Sequence, residues 1–223
     1  MAETESTSPP PGLTREAEEA GFYHEAALNA TWTGVRLALG GLSFGFGCFV
    51  FAYFYLRSLN SNDHWHPAGF HGPQQWAGAV IMALIVVGAL IQWAGLSRIK
   101  AGHKGAWLQA AVVTLVFGLA AIGLQLWQLF NLPFQPGAAG FASVFTGATP
   151  VFIFVLFGVL VWLETLIMRA RAIRDIHFVE QPPTYAEAFA VQRFQASLSA
   201  LTVALNYIAV IAIVFWVLFY LTA

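Results

Sequence analysis

The sequence has very little charge and only one cysteine. Charged residues make up 9% of its 223 residues, and 58% are hydrophobic, whereas a soluble domain carries about 25% charged residues. Charge this sparse cannot coat a globular surface, so the composition predicts that lipid surrounds much of the protein. The net charge of −1 gives no bulk attraction to nucleic acid. A single cysteine, Cys48, excludes an intrachain disulfide and a thiolate-rich metal site.

Ionisable residues are also scarce within the long apolar runs. A transporter or pump would keep such residues at mid-membrane, because they are costly there and are retained for function. Glu164 and Arg36 lie near the ends of their runs, where their side chains can reach the interface. The remaining polar residues there are neutral, and we interpret them as interhelical hydrogen-bond partners rather than substrate ligands. They are Gln92, Gln125, Gln128 and Asn206.

Five apolar segments are long enough to cross a hydrocarbon core of about 30 Å, which takes roughly 20 helical residues. None alternates apolar with polar residues, so a transmembrane barrel is excluded. The sequence therefore predicts an all-α polytopic membrane protein, a bundle of five transmembrane helices in residues 31–223 after a polar N-terminal tail in residues 1–30. The predicted spans are Thr33–Leu56, Trp76–Leu96, Ala106–Phe130, Ala142–Met168 and Ala196–Leu221.

Basic residues are distributed unevenly over the two sides of this topology. One side holds nine of them and the other holds Arg57 alone. The positive-inside rule therefore predicts a cytoplasmic N-terminus and an external C-terminus. The nine are Arg15, Arg36, Arg98, Lys100, Lys104, Arg169, Arg171, Arg174 and Arg193.

Small residues recur along the first predicted helix at steps of three and four. That spacing puts them on one face, which we call the small-residue stripe. Small residues let helix backbones approach closely in membranes, so the stripe predicts a helix-packing surface. The partner helix could belong to this chain or to another. The stripe consists of Gly34, Ala38, Gly41, Gly45, Cys48 and Ala52.

Three histidines stand close together in the loop that follows. His64, His66 and His71 could hold Zn²⁺ or Cu²⁺, but loop histidines at a membrane interface are also ordinary, and we favour that second interpretation. None of the predicted spans contains a histidine, which excludes a haem held by histidine in the bundle core.

The segment "AYFYLRS", which ends a glycine- and phenylalanine-rich helix and precedes a loop with a Trp-His-Pro element, resembles the haem–copper oxidase subunit III family. The last helix, "LNYIAVIAIVFWVLFYL", is similar to the family's final helix. Five helices with an inside N-terminus resemble the short bacterial type. The motif residues that carry the resemblance are Tyr53, Phe54, Tyr55, Leu56, Arg57, Ser58, Trp65 and Pro67.

The sequence departs from that family at two places. The family usually carries a glutamate in the first of these helices, where alignment back from Ser58 places Leu42. It also has histidines after a Thr-Gly pair, whereas Ala148, Thr149 and Pro150 follow that pair here. A packing role, which needs only shape, carries over, and a proton-handling role of those groups does not.

The resemblance implies an accessory, non-redox subunit of a respiratory terminal oxidase in the bacterial cytoplasmic membrane. The complex would reduce O₂ to water and translocate protons, with haem and copper in partner subunits and no cofactor, metal or catalytic residue in this chain. Its partners would be oxidase subunit I, often subunit II, and membrane lipids. A nitric-oxide-reductase-associated member of the same family and a small membrane transporter remain as alternatives.

Overall fold

The computed structural model describes residues 15–60, 65–66, 69–173 and 185–222 of the chain. Five long α-helices account for most of this part, which confirms the predicted fold class. They are α1 (Arg15–Ser58), α2 (Gln75–Lys100), α3 (Lys104–Phe130), α4 (Gly140–Ala172) and α5 (Tyr185–Trp216), and α5 continues into a π-helical turn, Val217–Leu221.

Each helix contains a stretch long and apolar enough to cross a membrane. In lipid, helices satisfy every backbone N–H and C=O group internally, which explains why apolar runs of this length fold as helices. The outer surface carries bulky apolar side chains, among them Phe44 and Phe154, which are 78% and 76% exposed. The chain is a multi-pass membrane protein.

Helix α1 is longer than predicted, since it begins at Arg15 and not at Thr33. The polar segment before the apolar run, assigned on sequence to the N-terminal tail, is rich in alanine and glutamate. Both residues favour helix, so the helix of residues 33–58 extends backwards through residues 15–32 without interruption.

The short connection between α2 and α3 forces these helices to run antiparallel in contact. Gly102 adopts φ +85 in this turn, a conformation that glycine reaches without a steric penalty. Its amide donates to the carbonyl of Ile99 at 3.0 Å. The hydroxyl of Thr114 then donates to the Gly88 carbonyl at 3.0 Å, a buried link between the two helices.

The helices alternate in direction, so the bundle has two ends. The Trp65 end holds the end of α1, the start of α2, the end of α3, the start of α4 and the π-helical turn. The Lys104 end holds the opposite termini. Helix α1 packs mainly on α4 and α5, while α2 packs on α3 and α5, and α3 packs on α4.

Proline 150 lies inside α4, well after the helix start at Gly140. The sequence alone does not indicate whether Pro150 begins a helix or interrupts one. Proline lacks the amide that would donate to the preceding turn, and neighbouring helices and side chains allow such interruptions in transmembrane helices.

A close approach between α3 and α4 depends on Gly118. A Cβ atom at this position would lie 2.5 Å from Cδ2 of Leu160, and Leu160 is itself buried in the core. Alanine here would force the core to rearrange. At Gly123, on the same helix, a Cβ atom would meet no other atom within 4 Å.

We therefore expect Gly118→Ala to be less stable than Gly123→Ala by about 1–3 kcal/mol, the usual cost of overpacking a core. Both changes gain the same helix propensity, so their difference isolates the packing term. Thermal unfolding in detergent, followed by circular dichroism, measures it. Equal stability of the two variants would contradict the close α3–α4 contact.

Candidate functional site: the outward stripe of α1 and the cap at its end

The small-residue stripe of α1 lies mostly on the outside of the bundle. Gly34, Gly41 and Gly45 are exposed, and a Cβ atom on any of them would meet nothing within 4 Å. Cys48 is exposed as well. At the two alanines, Ala38 borders a cleft towards α4 and Ala52 is half-buried. Most of the stripe therefore lies free of the other described helices.

The face of α1 that contacts the bundle is one residue further along at each step and is built from larger side chains. Phe46 is 2% exposed and Tyr53 is fully buried. Phe46 packs edge-on against Phe215 of α5, with ring centroids 5.5 Å apart. Bulky side chains thus hold α1 to its own chain, and the small ones face away.

Helix α1 is accordingly the least enclosed helix. In its most apolar window only 11% of residues are buried, against 50% in the corresponding window of α5. A helix this apolar, with a smooth face turned outward, leaves room for a second helix to approach closely.

A polar clasp joins the end of α1 to the C-terminal end of the chain. The hydroxyl of Tyr53 donates to the carbonyl of Thr222 at 3.1 Å. The Arg57 guanidinium donates to the same carbonyl at 2.7 Å and to the Tyr53 oxygen at 3.3 Å. The clasp occupies the π-helical end of α5, where the last carbonyls have no partner within the helix.

An aromatic cap covers this clasp. Trp65 is 5% exposed and meets Tyr53 edge to face, with ring centroids 4.9 Å apart. The Trp65 amide donates to the side-chain oxygen of Asn60 at 2.9 Å, which fixes the loop. The start of α4 comes so close that a Cβ atom on Gly140 would lie 3.0 Å from Cε3 of Trp65.

The other motif residues divide between surface and core. Leu56 packs against the core, whereas Phe54, Tyr55 and Ser58 are exposed. Pro67 lies outside the described residues. The structure therefore brings together Tyr53, Arg57 and Trp65 of the motif and leaves the exposed three outside the cap.

His66 sits beside this cap with its ring stacked on Phe70, at a centroid distance of 5.1 Å. Its Nε2 atom is enclosed and has no hydrogen-bond partner among the described residues. Burial, and to a smaller degree the positive charge of Arg57, lowers the pKa of His66 below its usual 6.5. His64 lies outside the described residues, and among those that are described no three His, Cys, Asp or Glu side chains come together as a metal site.

Gln128 forms the interhelical hydrogen bonds that the sequence predicted for the neutral polar residues. It accepts from the Tyr220 hydroxyl at 2.7 Å, and its Nε2 donates to the Gln74 carbonyl at 3.1 Å. Both amide atoms of Gln92 and the Oε1 atom of Gln125 are buried without a hydrogen-bond partner in the part of the chain that the structure describes. The prediction is thus confirmed for Gln128.

Sequence reasoning missed Thr222, Phe141 and Phe219 as parts of the cap. Phe141 stands 5.8 Å from Trp65, and Phe219 stands 6.0 Å from Tyr53, measured between ring centroids. No local spacing links these residues, because Tyr53 and Thr222 are 169 positions apart. The dense aromatic content at the start of α4 and at the end of α5 was the one available signal.

We expect Tyr53→Phe to destabilise the protein by about 1 kcal/mol, the typical net value of one hydrogen bond. Tyr55→Phe is the matched control, because its hydroxyl makes no hydrogen bond with the described residues and its ring is exposed. Thermal unfolding in detergent compares the two. An unchanged midpoint for Tyr53→Phe would mean that the clasp adds no stability.

The lowered pKa of His66 also predicts a pH dependence. The folded state binds a proton at His66 less readily than the unfolded state, so stability is complete above about pH 6.5 and falls as the pH drops below it. His66→Phe should flatten this part of the profile, while His71→Gln should leave it in place. Unfolding midpoints between pH 8 and 5, about one per half unit, provide the test; a profile that His66→Phe leaves unchanged would refute it.

Comparison with known proteins extends the resemblance. No protein-family model matches the chain. It is similar to cytochrome c oxidase subunit 3 of Branchiostoma lanceolatum, with 25% identity over 142 residues that make up 61% of this chain and 54% of that protein. The protein of the same name from Branchiostoma floridae matches equally well. The chain therefore spans about half the length of the curated relatives it matches.

Proposed function

We propose that this chain is an accessory, non-redox subunit of a respiratory terminal oxidase, similar to subunit III. Two findings support the proposal: the distant similarity to cytochrome c oxidase subunit 3, and the observation that carries it, the outward small-residue stripe on the least enclosed helix. The complex reduces O₂ to water and translocates protons, and electrons pass through haem and copper in partner subunits.

The stripe is the surface that binds the catalytic subunit I, with subunit II as a possible further neighbour. The exposed glycines of α1 form a shallow groove between two ridges of larger side chains, one packed inward and one facing lipid. A helix of the partner lies in this groove with its backbone close to that of α1, and dispersion contacts and weak Cα–H hydrogen bonds stabilise the pair.

The chain contributes no redox centre of its own. The helix face around Gly41 and Gly45 carries one thiol, Cys48, and no histidine or carboxylate that could bind a metal together with it. Where the family carries a glutamate this chain has Leu42, and where the family has histidines after Thr-Gly it has Ala148, Thr149 and Pro150. Its effect on the enzyme is therefore structural: it stabilises the catalytic subunit.

Membrane lipid is the second partner. An apolar cleft of about 230 Å³ opens between α1, α4 and α5, and Leu39, Val159 and Trp162 are among the residues that line it. Its chemistry fits an acyl chain. In the membrane of a bacterium the Lys104 end faces the cytoplasm, in keeping with the basic residues there, and the five helices correspond to the short bacterial type of the family.

A tag on the N-terminus of the chain, used to purify it from its own membranes in mild detergent, tests the proposal. We expect a haem protein to co-purify, visible in the absorption spectrum and by mass spectrometry, and to consume O₂. Recovery of the chain without a haem protein would overturn the proposal, and a partner that reduces nitric oxide instead would assign the chain to the related reductase.

Gly41→Leu tests the surface. Leucine fills the groove, so we expect at least a tenfold loss of co-purified haem, equivalent to about 1.4 kcal/mol. Gly40→Leu is the matched control, since this neighbouring glycine is also exposed with open space around it but lies off the stripe. Equal recovery with both variants would place the contact elsewhere on the chain.

A further inference from the structure

A small cavity lies near the Trp65 end, lined by residues of four of the five helices. Its volume is about 30 Å³, and its walls are largely aromatic. Such a volume is too small for a metabolite or a lipid chain but sufficient for one water molecule, which needs at least about 10–15 Å³ of this kind of space. The lining residues used below are Gly78, Gln125, Thr149, Trp216 and Tyr220.

Two of these residues have a buried polar atom, one a hydrogen-bond acceptor and the other a hydrogen-bond donor. The Oε1 atom of Gln125 is an acceptor, and the Nε1–H group of Trp216 is a donor. Both atoms are shielded from solvent, and neither has a hydrogen-bond partner within residues 15–60, 65–66, 69–173 and 185–222. Leaving such a group unpaired costs about 1–3 kcal/mol, and in a membrane no outside water relieves that cost.

The polar groups nearby are already engaged. The Tyr220 hydroxyl donates to Oε1 of Gln128 at 2.7 Å, and the Gln128 amide group donates to the Gln74 carbonyl at 3.1 Å. The Tyr220 ring is also held against Gly78, where a Cβ atom would overlap it. Neither side chain is free to turn and satisfy Gln125 or Trp216.

We propose that the cavity is a bound-water site. One water molecule accepts the Trp216 Nε1–H hydrogen bond and donates to Oε1 of Gln125, with the hydroxyl of Thr149 as its third partner. Water of this kind typically makes about three hydrogen bonds to buried polar groups. The site joins α3, α4 and α5 through a hydrogen-bonded centre beside the Tyr220–Gln128 hydrogen bond.

Gln125→Leu distinguishes an occupied cavity from a dry one by the sign of its effect. If water is bound, leucine removes one of its partners and displaces it, and we expect the unfolding midpoint to fall by about 2–4 °C. If the cavity is dry, leucine removes an unpaired acceptor, and the midpoint stays the same or rises. The second result overturns the proposal.

Gln92→Leu is the matched control. Gln92 is fully buried, and both its amide atoms lack a partner, yet it lines none of the cavities described above. We expect no fall in its midpoint. A fall equal to that of Gln125→Leu would show that any buried glutamine behaves in this way, which would also overturn the proposal.

A direct measurement on the unmodified protein does not rely on a change in stability. In the full-length protein in detergent, with ¹⁵N-labelled tryptophan, the indole signal of Trp216 is assigned by its loss in Trp216→Phe. We expect a cross-relaxation peak between this N–H proton and a long-lived water molecule. The absence of that peak overturns the proposal, and the outward-facing indoles of Trp76 and Trp93 serve as the reference signals.

Discussion

Close contact between helices is the constraint on which this structure depends. Lipid tails are as apolar as the side chains, so burying a leucine between helices gains little over leaving it in lipid. The bundle is instead held by shape and by a few polar links. Leu160 fills the space over Gly118, Thr114 bonds to the Gly88 carbonyl, and aromatic rings pack edge to face around Trp65.

The same constraint explains how the two faces of α1 differ. On its inward face, the large side chains of Phe46 and Tyr53 fill the space between α1 and the rest of the bundle. On its outward stripe, a Cβ atom added to any of the glycines would meet no described residue within 4 Å. In a protein without a partner in the membrane, a surface of small residues would bring no advantage, because bulky apolar side chains contact lipid equally well. The proposed subunit contact gives this face its purpose.

The sequence predicted the helices well, because lipid imposes a minimum length of apolar residues and forbids unpaired backbone groups. It also predicted which residues of α1 share a face, since that follows from helix geometry alone. It did not predict that the stripe faces outward, nor that Arg57 and Tyr53 bind Thr222. Both depend on how distant helices meet, and no local pattern encodes that. The early start of α1 was missed because apolarity marks the membrane portion of a helix but not its aqueous extension.

Helix α1 is 44 residues long, so at about 1.5 Å per residue it measures about 66 Å, roughly twice the thickness of a hydrocarbon core of about 30 Å. Even when tilted, it projects well beyond the bilayer at the Lys104 end.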